Sequence, residues 1–512
     1  MKPVKNNTDG RSTKQLVGLV AGPVVALVLL LVFDLDPENP LVGRTAAVAA
    51  LMAVWWITEA IPIPATALLP VALFPLLGIM KGKEVAATYF NHIIFLFIGG
   101  FLMALAMQRW NLHRRIALKI ILLIGSSPKR IILGFMVATA FLSMWISNTA
   151  TTMMMVPIAM AVIIRLRESD PSGKTSRFSV GLLIGIAYSA SIGGVATLIG
   201  TPPNLSFTRI FDIYFPQGPE ISFAGWILFG LPCSVLFLSI AWLLLTMFFV
   251  PKNGTAATDI QVFRQERRRL GKMTYEEKVV LILFSLLALL WLFRSQIALG
   301  SFVIPGWSTL FPVPGFIDDG TVAIAVAMLL FLIPARSQKN SRLMDWKTAR
   351  GLRWGIVLLF GGGFALASGF KESGLSLWLA ERLTGLSDVP PTVLVASICT
   401  MMTFLTELTS NTATTEMILP LLGSLGVAIK TNPLLLMIPA TLSASCAFML
   451  PVATPPNAIV FGSGEVRMSD MIRVGIVMNL IGVVLITGLI FLLGTTVFNI
   501  DLGLFPDWAV AQ

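Results

Sequence analysis

The sequence predicts an all-α polytopic membrane protein with about 11 transmembrane helices, plus two re-entrant helical hairpins, arranged as an inverted-topology repeat. Composition, the lengths of the apolar runs and an internal repeat predict this fold. Of the 512 residues, 56% are hydrophobic and only 12% are charged, and the mean hydropathy is +0.84. Soluble domains carry about 25% charged residues. So large an apolar excess cannot be buried within the chain, and we therefore expect it to face lipid.

The spanning helices are predicted from run length, because a helix needs roughly 20 apolar residues to cross the hydrocarbon. Two of the segments, 178–210 and 433–465, are interrupted by polar and proline residues. The predicted segments are 16–33, 45–60, 62–80, 92–108, 178–210, 223–250, 278–294, 317–334, 354–370, 433–465 and 471–498.

Two further regions, 131–164 and 391–428, each contain two short apolar arms around a polar Ser-Asn-Thr centre. The arms 131–146 and 149–164 are short for a crossing. A hairpin that enters and leaves on one side of the membrane fits them better. Such non-helical backbone is tolerated at membrane depth only where protein or a water-filled cavity surrounds it.

The distribution of basic residues predicts the orientation. The chain carries 37 Lys and Arg against 26 Asp and Glu, a net charge of +11. With a cytoplasmic N-terminus and two re-entrant hairpins, 29 of the 37 basic residues fall in cytoplasmic segments. This asymmetry is typical of the positive-inside rule, so no nucleic-acid partner is needed to explain the charge. We predict a multi-pass protein of the cell (plasma or inner) membrane.

A basic run at 264–269, Arg-Gln-Glu-Arg-Arg-Arg, lies in the longest predicted cytoplasmic loop. We interpret it as a solvated linker that helps to set the topology. Binding of anionic lipid is the alternative.

The internal repeat is the most informative feature. Residues 141–158 and 404–421 share 10 of 18 positions, and 97–104 and 360–367 share five of eight at the same offset of 263. A third pair, Thr-Pro-Pro-Asn, occurs at 201–204 and 454–457. In the predicted topology the two Gly-Gly-Phe spans run in opposite directions. Inverted repeats with interrupted helices at matching positions indicate a secondary transporter with its site near the midplane.

The repeat also predicts the division of the chain. We expect two inverted repeats joined by a basic cytoplasmic linker, each with scaffold spans followed by a hairpin and transport spans. The segments are the cytoplasmic lead 1–15, the first repeat 16–250 (scaffold 16–125, hairpin and transport spans 126–250), the linker 251–277, the second repeat 278–498 (scaffold 278–388, hairpin and transport spans 389–498) and the external tail 499–512.

The duplicated motifs have a defined chemistry. Each Ser-Asn-Thr lies where two hairpin arms meet, and its hydroxyl and amide groups offer oxygens and helix caps. Each Thr-Pro-Pro-Asn breaks a spanning helix, because proline removes a donor and clashes with the preceding turn. Free carbonyls suit a cation such as Na⁺, whereas free N–H groups at helix N-termini suit an anion. We infer two cation sites flanking one anion site; a purely structural role would not explain the duplication.

These motifs resemble those of the divalent-anion:sodium symporter family, whose members carry dicarboxylates, citrate or sulfate. The resemblance covers nearly the whole chain and includes the stretches 58–70, 110–115 and 449–461 as well as both Ser-Asn-Thr tips. It implies Na⁺ as the co-transported ion, a homodimer in membrane lipid, and a transport domain that moves against a scaffold like an elevator.

The resemblance also implies the site residues. The first sodium site would comprise Ser143, Ser147, Asn148 and Gly200. The second would comprise Thr406, Thr409, Asn411 and Ala453. The substrate would contact residues at both tips and both helix breaks, namely Asn148, Thr149, Thr201, Pro202, Asn411, Thr412, Thr454 and Pro455.

The predicted function is sodium-coupled symport of a divalent anion, with a C4 dicarboxylate such as succinate, malate or fumarate as the preferred substrate. The alternatives are a sodium-independent dicarboxylate or citrate antiporter and a sulfate symporter. An enzyme is not expected, since no nucleophile–base or metalloprotease motif is present. A channel is disfavoured because two hairpins that approach from opposite sides suit alternating access.

Four other polar residues lie near the motifs or span ends. Glu407 and Glu416 flank the second tip, and acids inside a membrane are candidates for function. Met153 stands in the first repeat where Glu416 stands in the second, so Glu416 breaks the symmetry. His92 and His113 are interpreted as structural.

Overall fold

The computed structural model describes residues 12–125, 127–169, 175–250, 261–299, 302–338 and 340–510. Most of the predicted lead (1–11), the first part of the linker (251–260) and the last two residues of the tail lie outside the described residues. Helix dominates the regular structure of the part that is described.

In the described part of the first half of the chain, twelve α-helices precede the linker. Prolines at N1 or N2 begin several of them, where the missing N–H costs nothing. The helices are α1 Thr13–Leu31, α2 Pro40–Thr58, α3 Ile63–Thr66, α4 Leu69–Leu76, α5 Gly82–Thr88, α6 His92–Arg109, α7 Leu112–Ile124, α8 Pro128–Ser143, α9 Asn148–Ser169, α10 Thr175–Val195, α11 Pro202–Tyr214 and α12 Phe223–Phe249.

The second half repeats much of this pattern. A two-stranded antiparallel hairpin, β1 Ile297–Leu299 with β2 Phe302–Ile304, precedes α15 and pairs Ala298 with Val303. The helices are α13 Gln261–Arg269, α14 Tyr275–Leu292, α15 Asp319–Leu332, α16 Trp346–Ala349, α17 Trp354–Glu372, α18 Leu375–Arg382, α19 Pro391–Thr406, α20 Asn411–Ala428, α21 Pro433–Ala444, α22 Pro455–Gly462, α23 Met468–Leu489 and α24 Thr495–Val497. A π-helical stretch, Ile490–Gly494, joins α23 to α24, and single 3₁₀ turns occupy Trp307–Leu310, Pro314–Phe316, Thr384–Leu386 and Asp507–Ala509.

The predicted membrane fold is confirmed. In the described part of the chain, eight helices are long and apolar enough to span a membrane, and four shorter apolar helices accompany them. Each of the eleven predicted segments contains a helix or a broken pair of helices. The α3–α4 segment is broken because it carries four prolines, at 62, 64, 70 and 75.

The repeat is matched element by element. When the offset of 263 found in the sequence is added to the residue numbers of α8, both of its ends coincide with those of α19. The same offset makes the starts of α9 and α20 coincide. After the longer loop of the first repeat, α11 corresponds to α22 and α12 to α23. In the predicted topology α7 and the first hairpin add no crossing, and four crossings lie between α6 and α17, namely α10–α11, α12, α14 and α15. With this even number between them, the two copies are predicted to run in opposite directions through the membrane.

The first hairpin differs from the prediction in one respect. Its second arm, α9, has 22 residues rather than the 16 expected, and its apolar part is long enough to span a membrane. The helix continues beyond the apolar run because Arg165 and Arg167 lie in its last turns, where cations interact favourably with free carbonyls. The polar tip at its start lies where the sequence placed it.

The two repeats are interleaved around the hairpins. Helix α11, which follows the first break, packs against α20 of the second hairpin. Helix α22, which follows the second break, packs against α9 of the first hairpin. Helix α10 lies at the centre and is buried along its whole apolar length. This interleaving places the second arm of each hairpin beside the helix that follows the break in the other repeat, while each tip contacts the broken helix of its own repeat.

Candidate binding site at the hairpin tips and helix breaks

The first hairpin tip lies between the end of α8 and the start of α9. The amide nitrogen of Asn148, in the orientation that satisfies its hydrogen bonds, lies 2.6 Å from Ser143 Oγ. It lies 3.1 Å from the Ala190 carbonyl oxygen and 3.2 Å from the Gly200 carbonyl oxygen. Ser143 Oγ itself donates to the Ala190 carbonyl at 2.7 Å. These three oxygens surround the amide nitrogen as hydrogen-bond acceptors, and hydroxyl and carbonyl oxygens are also the ligands that a hard cation prefers. The structure thus brings together three of the four residues predicted for the first sodium site.

The second tip repeats this geometry. Thr406 Oγ1 donates to Asn411 Oδ1 at 2.6 Å and also contacts the Ala444 carbonyl oxygen at 2.9 Å. Thr406 and Ala444 correspond to Ser143 and Ala190 of the first tip. The side chain changes from serine to threonine while the hydroxyl stays in the same place. The same local chemistry is therefore built twice.

Other predicted residues of the sodium sites make contacts within their own segments. Ser147 Oγ accepts the Ala150 N–H at 3.4 Å, and Thr409 Oγ1 lies 2.5 Å from Thr414 Oγ1. The Ala453 N–H donates to the Leu450 carbonyl at 3.2 Å. These residues lie at the tips and the break as predicted, but the contacts found here do not join them to Asn148 or Asn411.

The helix breaks are held by the asparagine of each Thr-Pro-Pro-Asn motif. The Asn204 amide donates to the Thr197 carbonyl at 2.8 Å, and the Asn457 amide donates to the Leu450 carbonyl at 3.0 Å. Both side chains are almost completely buried. These bonds fix the non-helical loops, so that α11 and α22 begin at defined points. This role was not predicted from the sequence, although the same asparagine closes both Thr-Pro-Pro-Asn motifs.

The first break also needs glycine for close packing. A Cβ atom on Gly200 would lie 2.5 Å from the carbonyl oxygen of Gly194, closer than real contacts allow. The loop can therefore fold back on the end of α10 only without a side chain at this position. In the second repeat alanine stands at the corresponding position, Ala453.

Four helix N-termini belong to the predicted substrate site. Thr201 and Thr454 are the N-cap residues of α11 and α22, with Pro202 and Pro455 at the first helical position. The Thr201 hydroxyl lies 3.4 Å from the Ser445 hydroxyl, which links the two breaks directly. Helices α9 and α20 begin at Asn148 and Asn411. Helix N-termini favour anions through their free N–H groups and dipoles.

The remaining substrate residues are Thr149 and Thr412, each one position beyond its tip asparagine. Thr412 is buried and Thr149 is half-buried. The Nη1 atom of Arg353, at the start of α17, donates to Thr149 Oγ1 at 3.4 Å. Arg353 is half-buried and makes no ion pair with any carboxylate in the described part of the chain. Sequence patterns did not identify it, because it lies 204 residues from Thr149.

Glu407 precedes the second tip, at the end of α19, and its hydrogen bonds go to the loop of the second helix break and to α23. Its carboxylate accepts the N–H groups of Phe448, Met449 and Leu450 at 2.7–2.9 Å. It also accepts the Asn479 amide at 2.8 Å. The side chain therefore braces the loop of the second helix break. Its position in the fold indicates support for the site rather than contact with a ligand.

Glu416 lies on α20 and is completely buried. Its Oε1 atom accepts the Ser206 hydroxyl of α11 at 2.5 Å. The carboxyl group also abuts Gly363 of α17, where an added Cβ would overlap it. Glu416 thus joins three helices from both halves of the chain.

His113 lies on α7, and its ring contacts the Met107 carbonyl oxygen at 3.0 Å. This contact agrees with the structural interpretation of His113.

Comparison with protein families places this architecture among known transporters. Residues 13–500 match the family model described as "Sodium:sulfate symporter transmembrane region". The chain belongs to this family. The matched residues include both hairpins and both broken helices of this protein, and the match confirms the resemblance found from the motifs. Its members are transporters, so the chain is a membrane transporter and not an enzyme.

Two curated staphylococcal proteins are similar to this protein along most of its length. The Staphylococcus saprophyticus protein named "Sodium-dependent dicarboxylate transporter SdcS" is 45% identical over 503 residues, covering 97% of this chain and 95% of the relative. The protein of the same name from Staphylococcus aureus strain MRSA252 is 46% identical over 505 residues, covering 96% and 93%.

Two solved transporter structures share the fold. Neisseria gonorrhoeae MtrF has a TM-score of 0.54 at 12% identity, covering 81% of this chain and 83% of its own. The Alcanivorax borkumensis YdaH transporter has a TM-score of 0.53 at 15% identity, covering 94% and 99%. At these identities the likeness concerns the fold alone.

Proposed function

We propose that this protein is a sodium-coupled symporter of a C4 dicarboxylate such as succinate, malate or fumarate. The observation that carries the proposal is the pair of oxygen-lined hairpin tips, each in contact with the broken helix of its own repeat. The tips supply oxygens for two cations, and the helix N-termini supply donors for one anion. The names of the two staphylococcal relatives support both the ion and the substrate class.

In this proposal Na⁺ is a co-transported ion bound at two sites. The first uses Ser143, Ser147, Asn148 and Gly200, and the second uses Thr406, Thr409, Asn411 and Ala453. The oxygens gathered around Asn148 and the contact between Thr406 and Asn411 support these sites. The contacts of Ser147, Thr409 and Ala453 lie within their own segments, so the proposal for these three residues rests on the family resemblance.

A dicarboxylate matches the symmetry of the site, since one carboxylate can face each tip. We assign the first to Asn148 and Thr149 with the Thr201 and Pro202 break, and the second to Asn411 and Thr412 with the Thr454 and Pro455 break. Arg353 beside Thr149 adds one positive charge on the side of the first tip. Charge-assisted hydrogen bonds of this kind are stronger than neutral ones.

Coupling to sodium meets an energetic need. Moving a dianion into a cell against an inside-negative potential costs about 4.6 kcal/mol per 100 mV, twice the value for one charge. Two Na⁺ ions would cancel that charge, and a third would make transport electrogenic.

We further infer how the molecule operates. The scaffold would comprise the spans before each hairpin, and the hairpins with their following spans would move against it in an elevator-type alternating-access cycle. The functional unit would be a homodimer in the cell membrane, with the N-terminus in the cytoplasm. The excess of basic residues in the segments assigned to the cytoplasm supports this orientation.

Two other functions share the fold. A sodium-independent dicarboxylate or citrate antiporter would need internal substrate instead of sodium, and a sulfate symporter is suggested by the description of the family. Uptake of labelled succinate into proteoliposomes, with unlabelled succinate, citrate or sulfate as competitor, separates these functions. We expect competition by C4 dicarboxylates in excess of sulfate. Uptake stimulated by internal dicarboxylate and indifferent to sodium would instead identify an antiporter.

A further inference from the structure

A basic groove lies between the amphipathic helix α7, the linker helix α13 and the first turns of α14. Its volume is about 1390 Å³. One part of its lining is apolar and includes Ile116, Ile120, Leu123, Phe141, Leu281 and Phe284. Another part is cationic and includes Lys119, Arg264, Arg267, Arg268 and Lys272. The groove therefore combines a positive rim with a hydrophobic wall.

These five cations, which we call the rim cations, are exposed. None of them forms an ion pair with a carboxylate in the described part of the chain, and no described Asp or Glu lines the groove. Neighbouring arginines behave differently. Arg114 and Arg269 both pair with Glu266. The rim cations are thus left available for an anion from outside the chain.

The walls of the groove are held in place by specific contacts. Arg115 of α7 forms a two-pronged hydrogen bond to Glu277 of α14, with both N–O distances at 2.9 Å. Phe263 of α13 is buried and packs edge-on against Phe135 of the first hairpin, with ring centroids 5.8 Å apart. The Phe263 contact holds α13 against the first hairpin, and the Arg115 contact holds α7 against α14. The basic run at 264–269 is therefore a positioned surface and not a free linker.

The groove lies where lipid-facing surface meets charged surface. Leu123 of α7 is 75% exposed, and Ile282 on the adjoining turn of α14 is 64% exposed. Side chains of this kind on membrane helices face acyl chains. Of the rim cations, Lys119 lies one turn before Leu123 on α7 and Lys272 lies just before α14, while the three arginines lie on α13. An occupant that satisfies both parts must carry a negative head group and an apolar tail.

We propose that the basic groove binds an anionic phospholipid. The phosphate lies among the arginines of α13 and Lys119, and the acyl chains lie along the apolar wall of α7 and α14. Clusters of Lys and Arg at the membrane surface attract anionic lipids in this way. A soluble phosphate would leave the apolar wall uncovered. The same groove of a second copy would not fit either, because the rim cations of the two copies would repel each other. The proposal concerns a site separate from the hairpin tips and independent of the transported substrate.

Native mass spectrometry of the full-length protein in detergent tests the proposal, with equimolar phosphatidylglycerol and phosphatidylcholine added. We expect wild-type protein to retain phosphatidylglycerol preferentially. The triple variant Arg264→Gln, Arg267→Gln, Arg268→Gln should lower that preference by roughly tenfold or more. Lys119→Gln, on the opposite wall, should lower it to a smaller extent. A control triple, Lys347→Gln, Arg467→Gln, Arg473→Gln, removes the same charge from exposed positions elsewhere and should retain the preference.

Thermal unfolding of each variant in detergent shows that it is folded, which the exposure of the replaced side chains leads us to expect. Equal retention of the two lipids by wild-type protein would overturn the proposal. So would an equal loss in both triple variants, since this would reflect net charge alone. Complete displacement of the lipid by excess glycerol 3-phosphate would show a soluble phosphate site and contradict the role of the apolar wall.

Discussion

Ser143 Oγ and the carboxamide of Asn148 lie 2.6 Å apart at the first hairpin tip. Thr406 and Asn411 repeat this contact at the second tip, at the same distance. In each case the hydroxyl also reaches a carbonyl near the end of the helix that precedes a break, Ala190 or Ala444. One hydroxyl therefore links the tip to the broken helix in each repeat, and we expect sodium affinity to depend on it.

Replacement of Thr406 tests this dependence. Thr406→Ala removes the hydroxyl and leaves Asn411 without its partner, so the sodium concentration for half-maximal uptake should rise about tenfold, in line with 1–1.5 kcal/mol for one hydrogen bond. Thr406→Ser restores the group found in the first repeat and should behave like wild type. The measurement is succinate uptake as a function of sodium concentration.

Thr400→Ala is the control, because Thr400 lies on the same helix with its hydroxyl bonded only to the Ala396 carbonyl of its own turn. It should leave the sodium dependence unchanged. Equal sodium dependence for Thr406→Ala and Thr406→Ser would show that the hydroxyl takes no part in the second sodium site.

Arg353→Gln tests the contribution of charge to substrate binding. The guanidinium beside Thr149 forms no ion pair with a carboxylate of the described chain. Its loss should raise the KM for succinate about tenfold to 150-fold, as expected for a hydrogen bond to a charged group worth about 1.5–3 kcal/mol. Arg350→Gln, three residues earlier and exposed, should leave the KM unchanged. If both variants gave the wild-type KM, Arg353 would have no part in substrate recognition.

Glu407→Gln tests the bracing of the second helix break. A carboxylate can accept all three backbone N–H groups, whereas the amide of glutamine turns a donor toward one of them. The free energy of unfolding should fall by about 1–3 kcal/mol, the cost of a buried donor without a partner. Thermal unfolding of the detergent-solubilised protein, with exposed Glu381→Gln as control, measures this. A selective change in sodium dependence without loss of stability would instead place Glu407 in the transport site.

The pH dependence of uptake tests the charge of the substrate. Helix N-termini and bound sodium favour a fully ionised anion, and protonation below the second pKa of succinate removes one negative charge. Uptake at fixed total succinate should therefore fall as the external pH falls through that pKa. At a fixed concentration of dianion the rate should stay constant. A rate that rises as the pH falls would identify the monoanion as the substrate.

One contact in the loop before α16 is expected to stay constant in this experiment. The Thr348 N–H, and to a smaller extent Arg109, lowers the pKa of Asp345 below its ordinary value. A lowered pKa in the folded protein means that the carboxylate stabilises the fold at neutral pH and loses this effect only as the pH falls through that lowered value. The contact between Arg109 and Asp345 at 2.7 Å should thus survive the pH range of the assay.

The fold was predictable because its determinants are local or repeated. Run length predicts the spans, Thr-Pro-Pro-Asn predicts the breaks, and the repeat predicts the equivalence of the tips. The helix boundaries at Ser143, Asn148, Thr406 and Asn411 follow from the same polar centres. The extent of α9 was underestimated, because charged residues in a last helical turn do not appear in an apolar run.

The side-chain partners were not predictable, because they depend on contacts between distant segments. Arg353 approaches Thr149, and Glu407 reaches the loop after α21, only once the two repeats are interleaved. A single sequence carries no signal for a contact between distant residues when no recognisable motif surrounds either of them. The exposure of the basic run at 264–269 was predicted from the sequence. Its fixed position was not, because it depends on the contacts of Phe263 and Arg115 with distant segments.

The most direct test of sodium-coupled transport is succinate uptake into proteoliposomes under an inward sodium gradient, compared with choline. We expect sodium-dependent accumulation with a sigmoidal dependence on sodium, since two cation sites must fill before the anion site is complete. Asn148→Ala and Asn411→Ala should each abolish it in folded, membrane-inserted protein, because each side chain serves a sodium ion and a carboxylate together. Equal uptake in sodium and choline, or full coupling in either variant, would contradict the two-site mechanism.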